Sequence, residues 1–132
     1  MYNKVKQFNR EILNVPEREQ NTLSVEEVEI SHLALHEEVD EFTDAAMTGN
    51  IVGMVDAIFD GIYFGLGVLH KMGITEEKAE RIFDAIHEAN MRKTFGTNAK
   101  RDTGAADAVK PDDWQPPEDL IKQILEESET KH

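Results

Sequence analysis

Leu35-His36-Glu37-Glu38-Val39-Asp40-Glu41-Phe42, followed some dozen residues later by Val55-Asp56-Ala57-Ile58-Phe59-Asp60, is the stretch from which the fold can be read. On a helix, residues three and four apart share one surface, so Glu38 and Glu37 both fall beside Glu41. Asp56 and Asp60 share a surface for the same reason. That second pair sits inside Ile51 to Leu69, a run with no other charge. Unpaired charge in apolar surroundings is costly, so two helices bringing these acids together call for a cation between them.

Working outward, Ser24-Val25-Glu26-Glu27 is a capping box, with Ser at the cap and Glu three residues later. It predicts a helix from there to about Thr48, stopped by Gly49-Asn50. Turned at about 100° per residue, this helix separates into three arcs. Val28, Leu35, Val39, Phe42 and Ala46 make an apolar stripe, and Glu29, His36, Asp40 and Thr43 a solvated face. Glu37, Glu38 and Glu41 lie on a third arc shared with Ile30, Leu33, Ala34 and Ala45, which predicts partial burial for them and exposure for Asp40. Asn50 caps the next helix, expected to reach about Met72 and to close at Gly73. It is apolar nearly all round, the pattern of a helix buried on every side. A chain of 132 residues has little to surround it with, so the expectation is an oligomer interface. Gly53, Gly61, Gly65 and Gly67 agree, since helix-interior glycine costs roughly 1 kcal/mol against alanine and close approach of another helix compensates.

Tyr2 to about Leu13 is expected to form a first helix, with Val5, Phe8 and Ile12 inward. Thr75 caps another, Glu76 to about Thr94, with Ala79, Ile82, Phe83 and Ile86 buried and Asn90 and Lys93 continuing that stripe. Phe95 to Pro117 has no periodicity and carries Lys100, Arg101, Gly104 and Lys110, which predicts a mobile segment: a lid, a binding loop or disordered chain. Glu118 to about Ser128 is expected to be a last helix docked through Leu120, Ile121, Ile124 and Leu125, with Glu129-Thr130-Lys131-His132 frayed. The expected fold is all-α and four-helix-bundle-like, in one domain over 1–132.

The formal net charge of −13 argues against binding a nucleic-acid backbone, which needs a basic face, and against an anionic membrane surface. Absence of cysteine excludes disulfides, thiolate catalysis and cysteine-based zinc sites. The N-terminus lacks the apolar core of a signal peptide, so the expected location is the cytoplasm (the host's, were the chain phage-encoded). Ile51 to Leu69 approaches membrane-spanning length, but its two aspartates would each cost roughly 2.5–3.5 kcal/mol on an insertion scale. The expected helix is therefore a core helix.

Carboxylates on two facing helices suit a hard cation such as Mg²⁺, which takes oxygen ligands and is commonly shared with substrate phosphates. A small polyphosphate then becomes a plausible ligand for an acidic protein, because the metal lies between the two. Glu-x-x-Glu by itself is more often solvated surface charge; Asp56 and Asp60 in an apolar helix are what raise the pattern above that.

The two acidic segments resemble the all-α nucleoside triphosphate pyrophosphohydrolase superfamily, which includes MazG-type enzymes, dimeric dUTPases and phosphoribosyl-ATP pyrophosphohydrolases. Its signature is EExxE followed by ExxD on the next helix. Ala89-Asn90-Met91-Arg92-Lys93-Thr94-Phe95 is similar to its downstream Asn-x-x-Lys segment. Lys110-Pro111 and Trp114-Gln115-Pro116-Pro117-Glu118-Asp119-Leu120 resemble the ending of the small, single-domain and phage-type members. The resemblance spans roughly residues 33 to 120. It implies Mg²⁺-dependent cleavage of a nucleoside triphosphate between its α and β phosphates, giving a monophosphate and pyrophosphate; Mn²⁺ is expected to substitute, and the oligomer expected from the apolar helix is a homodimer or homotetramer. By position, Glu38, Glu41 and Asp60 match metal ligands, and Glu37 matches a ligand or water-activating base beside Glu38. The chain departs from the signature at Ala57, where the family carries an acid; Asp56 is the available acid and is read as a ligand in its place. Asn90, Lys93 and Lys110 are assigned to phosphate, and Tyr63 with Phe64 to base or sugar.

Two other readings compete. Glu29-Ile30-Ser31-His32 and Asp84-Ala85-Ile86-His87 imitate the Glu-x-x-His pairs of ferritin-like di-iron proteins, although Glu29 and His32 point away from Glu38 and Glu41. A helical oligomer that binds nucleotide or a partner without catalysis is the other.

Overall fold

The computed structural model describes residues 1–97 and 106–128. The elements are α1 (Tyr2–Glu11), α2 (Val25–Met47), α3 (Ile51–Lys71), α4 (Glu76–Met91), β1 (Thr94–Thr97), β2 (Ala106–Val109) and α5 (Glu118–Glu126). The fold is all-α, as the patterning predicts, with one short β-ribbon. It divides into two compact units, Met1–Glu76 and the chain from Glu77 onward.

In the first unit, α2 opens with the predicted capping box. The Ser24 hydroxyl accepts the Glu27 N–H at 3.2 Å, and the Glu27 carboxylate accepts the Ser24 N–H at 3.5 Å. Gly49 takes a positive φ of 66° after the helix, and the Asn50 side chain accepts the Gly53 N–H at 3.0 Å to start α3. A Cβ on Gly53 would lie 3.0 Å from the Ala45 methyl, so α2 and α3 meet closely at this turn. At the far end Gly73 combines φ +75° with backbone atoms of Arg18 and Glu19 only 2.6 Å from where a Cβ would be. Only glycine fits there. The connecting segment 12–24 is held over this end of α3 by Arg18, which pairs with Glu27 at 2.7 Å, and by the Asn21 N–H to Met72 carbonyl bond at 3.0 Å.

α1 docks on α3 through Gly67, where Val5 and Asn9 come within 3.6 Å of the Cβ position. The inward residues of α1 are Tyr2, Val5 and Asn9; Tyr2 donates its hydroxyl to the Ile74 carbonyl. The expected stripe is corrected at its end, for Ile12 is exposed. The helix stops at Glu11, so Ile12 is only its C-cap, and Asn14 turns the chain away at φ 55°.

The inward face of α2 also differs from expectation. Val28, Leu35 and Val39 are exposed, whereas Ala34, Glu38, Phe42 and Ala45 face the packing. Small side chains let the two helix backbones approach, so α3 lies against the Ala34–Ala45 arc, and of the bulkier stripe only Phe42 is drawn in. Helix α3 is likewise not buried on every side by its own chain: Ala57, Gly67 and His70 are buried, while Ile51, Val52 and Phe59 stay exposed. Gly61 and Gly65 have open space where a side chain would be. By length and composition α3 could cross a membrane; here it packs along α2 and α1.

In the second unit, α4 buries Lys78, Ala85 and Ala89, and Phe83 is exposed. The expected Ala79–Phe83 stripe is thus rotated. The cause is α5, whose C-terminal carbonyls need donors. The Lys78 ammonium supplies them, at 3.2 Å to Leu125 and 2.9 Å to Glu127, and Arg81 holds the Glu127 carboxylate by two N–H bonds of 2.5 and 2.8 Å. Ile124 is the buried anchor of α5, and Leu120 is exposed.

Helix α4 ends at Met91, short of the expected Thr94, because the next residues enter a ladder. β1 and β2 pair antiparallel with Thr94 opposite Val109 and Thr97 opposite Ala106. The expectation of structureless chain from Phe95 is corrected to that extent: four-residue strands are too short to show a period. Lys100, Arg101 and Gly104, and the terminal Glu129-Thr130-Lys131-His132, lie outside the described residues.

Candidate functional site

Of the acids singled out by spacing, Glu38 is the one the fold buries, at 9% exposure. It projects from the inward face of α2, one turn beyond Ala34. Helix α3 supplies Asp60, half-buried, and Asp56, exposed, one turn apart. The Glu38 carboxyl is pushed up to about 7, first by burial, then by its hydrogen bond with Glu41 and by the charges of Glu41, Asp60 and Asp56. These are the four acids that the fold brings together. Oε2 of Glu38 is buried and has no hydrogen-bond partner. Among the described residues no lysine or arginine pairs with any of the four.

Glu37 is exposed on α2, next to Glu38 in sequence. Asp40 faces outward as expected, 3.3 Å from His36. The signature position occupied by Ala57 is 2% exposed, so the fold points that position into the packing and carries Asp56 on a more open part of the helix. The acids do not form a finished cage, since among the described residues no three acidic or imidazole side chains stand ready as a metal-binding group. Their donor set nonetheless fits a hard divalent cation. It is all oxygen, it carries uncompensated negative charge, and one buried oxygen lacks a partner.

A cavity of about 470 Å³ opens among α1, α2 and α3, lined by Phe8, Ile30, Ala34, Tyr63, Phe64 and Gly67 among others. Ala34 and Phe64 are each four residues from Glu38 and Asp60 on their helices, so the cavity begins one turn from the acids. Tyr63 meets Phe8 edge-to-face with ring centres 5.5 Å apart.

Asn90, Lys93 and Lys110 belong to the second unit. Asn90 is exposed near the end of α4. Lys93 and Lys110 place their ammonium groups 5.3 and 4.9 Å from the centre of the Trp114 ring. Trp114 was not reached by spacing arguments, although it is the chain's single tryptophan and stands between Lys110-Pro111 and Pro116-Pro117. The buried pair Asn9 and His70 also escaped them, because each falls singly on an otherwise apolar stripe.

The di-iron arrangement finds no support here. Glu29 and His32 are exposed on α2, and Asp84 and His87 are exposed on α4.

A family model described as phosphoribosyl-ATP pyrophosphohydrolase matches residues 5–90, well over half of the chain and inclusive of all four clustered acids. The chain belongs to that family. Membership puts it in the all-α, MazG-like pyrophosphohydrolase superfamily, hydrolases that act on phosphoric anhydrides and typically depend on a divalent cation. No curated protein matches the chain significantly.

Proposed function

We propose that this chain is a Mg²⁺-dependent (deoxy)nucleoside triphosphate pyrophosphohydrolase that yields a nucleoside monophosphate and pyrophosphate. The observation that carries the reading is Glu38, buried with an unpartnered oxygen and facing Glu41, Asp60 and Asp56. Glu38, Glu41, Asp56 and Asp60 would hold the ion; when bound, Mg²⁺ (or Mn²⁺) neutralises polyphosphate charge and acidifies a water. Glu37 is assigned as the base that takes the proton of the attacking water, with Glu38 beside it. The water oxygen bonds to the α phosphorus, and the bond from that phosphorus to the α–β bridging oxygen breaks. Pyrophosphate leaves with the bridging oxygen. Asn90, Lys93 and Lys110 bind phosphate oxygens, and Tyr63 with Phe64 packs against base or sugar at the cavity.

The protein is proposed to work in the cytoplasm as a homodimer or homotetramer, which would cover Ile51, Val52 and Phe59 of α3 and the exposed stripe of α2. Nucleic acid and membrane are not proposed as partners, given the net charge of −13. One observation favours a non-catalytic nucleotide binder instead: Ala57 occupies the signature's acidic position, leaving Asp56 one residue out of register. The deciding experiment is pyrophosphate release from canonical and modified (deoxy)nucleoside triphosphates and phosphoribosyl-ATP, with Mg²⁺ and with EDTA. Metal-dependent release from at least one supports catalysis. Silence across the panel favours the binder.

A further inference from the structure

The base of the β-ribbon holds two like charges together. Thr94 pairs with Val109, so Lys93, just before β1, and Lys110, just after β2, leave the ladder side by side. Like charges facing each other across a strand pair are destabilising, and among the described residues neither ammonium has a carboxylate partner. Their common neighbour is Trp114, whose ring face lies 5.3 Å from Lys93 Nζ and 4.9 Å from Lys110 Nζ. Both distances are within the reach of a cation–π contact.

The indole is itself fixed at two points. The Trp114 N–H donates to the Pro111 carbonyl at 2.9 Å, closing a turn that folds the ring back beneath the ribbon. Its ring N–H donates to the Ala89 carbonyl at 2.6 Å, on a residue that is 1% exposed near the end of α4. Two flexible lysines are thus gathered on one rigid platform, with their ammonium groups still able to accept an anion. We propose that Trp114 is a positioning residue whose ring face sets Lys93 and Lys110 as a paired-ammonium clamp for one phosphate or pyrophosphate group. The proposal deepens the reading of Lys93 and Lys110 as phosphate contacts and rests on it.

Inorganic pyrophosphate, titrated in EDTA into the full chain, probes the clamp without metal or turnover. Trp114 is the only tryptophan, so its emission should change saturably with pyrophosphate, and the change should vanish in a Lys93→Gln, Lys110→Gln double variant. By calorimetry, Trp114→Leu should weaken pyrophosphate about tenfold, and Trp114→Phe, which keeps a ring face but no ring N–H, by no more than about threefold. In turnover, Trp114→Leu should raise KM with kcat little changed. The clamp is overturned if wild-type emission ignores pyrophosphate, or if Phe weakens binding as much as Leu, which would mean that the bond to Ala89 matters and the ring face does not. Should Trp114→Leu fail to fold, the Phe variant and the wild-type emission still decide. A clamp that binds pyrophosphate as expected in a chain that hydrolyses nothing would sink the proposed activity alone. Normal turnover with a flat response of all variants would sink the clamp alone.

Discussion

His70 and Glu38 are two buried ionisable side chains of the first unit, on adjoining helices, and their surroundings treat them oppositely. His70 is met by Asn9, whose amide donates to the Gly67 carbonyl at 3.1 Å and lies 2.9 Å from His70 Nδ1. Its other nitrogen, Nε2, is buried without a hydrogen-bond partner, and the exposed Glu17 carboxylate lies 3.9 Å from it. Burial lowers the His70 pKa against the pull of Glu17, which favours the neutral ring that can accept from the Asn9 amide. Glu38 meets only other acids. A buried group met by a neutral amide, as His70 Nδ1 is by Asn9, joins two helices. A buried group whose neighbours repeat its charge, as at Glu38, is stable only with a proton or a cation. The same three-helix packing therefore contains one polar contact between unlike groups and one cluster of like charges, the cluster proposed above to hold a cation.

The largest test of this contrast is activity. Glu38→Gln or Asp60→Asn should lower turnover at least about a hundredfold, the scale of losing one strong electrostatic stabiliser. Near-normal rates in both folded variants would remove the metal assignment. Asn9→Ala should act on the other member of the pair, destabilising by about 1–3 kcal/mol because buried polar groups lose their donor, with the Mg²⁺ dependence of turnover unchanged. A shifted Mg²⁺ optimum in that variant would mean that the two regions are not separate. Denaturant melts of Gly73→Ala should show a loss of similar size, about 1–3 kcal/mol, from a left-handed backbone and a collision with Arg18 and Glu19.

The smallest effects are those of pH, and their signs are opposite. The His70 pKa is lowered on folding, so its contribution is present above the ordinary histidine value of 6.5 and is lost as pH falls through it. The Glu38 pKa is raised from 4.5 to about 7, so the native state holds the extra proton and metal-free stability falls as pH rises across that window. Melts of wild type against Glu38→Gln in EDTA should show the variant gaining relative stability from pH 5 to 8, with Mg²⁺ reversing the gain in the wild type. Melts of His70→Gln against wild type should diverge in the opposite sense below about pH 6.5, the ordinary histidine value. Parallel curves for Glu38→Gln would show that Glu38 titrates alike folded and unfolded.

Local rules were enough for the long helices, because their signals lie within a few residues. Ser24 and Glu27 cap α2, Asn50 caps α3, and Gly49 and Gly73 end them at positive φ. Spacing also found the acids that cluster, since Glu38 with Glu41 and Asp56 with Asp60 each lie about one turn apart. It could not rank them. Glu38 is buried and Glu37 is not, because α3 chose the Ala34–Ala45 arc over the bulkier apolar stripe, and that choice depends on how closely two backbones can approach. The same limit rotated the inward face of α4, where the carbonyls ending α5 drew Lys78 inside. The β-ribbon and the Trp114 anchor on Ala89 were hidden for a further reason: their partners are nine to twenty-five residues away and leave no period. What the sequence determined alone was the caps and glycine stops of α2 and α3 and the acids' spacing, all set by contacts within a helical turn. Only the tertiary structure decided which acid is stripped of water and which lysines share a ring, because burial and like-charge proximity are properties of assembled elements.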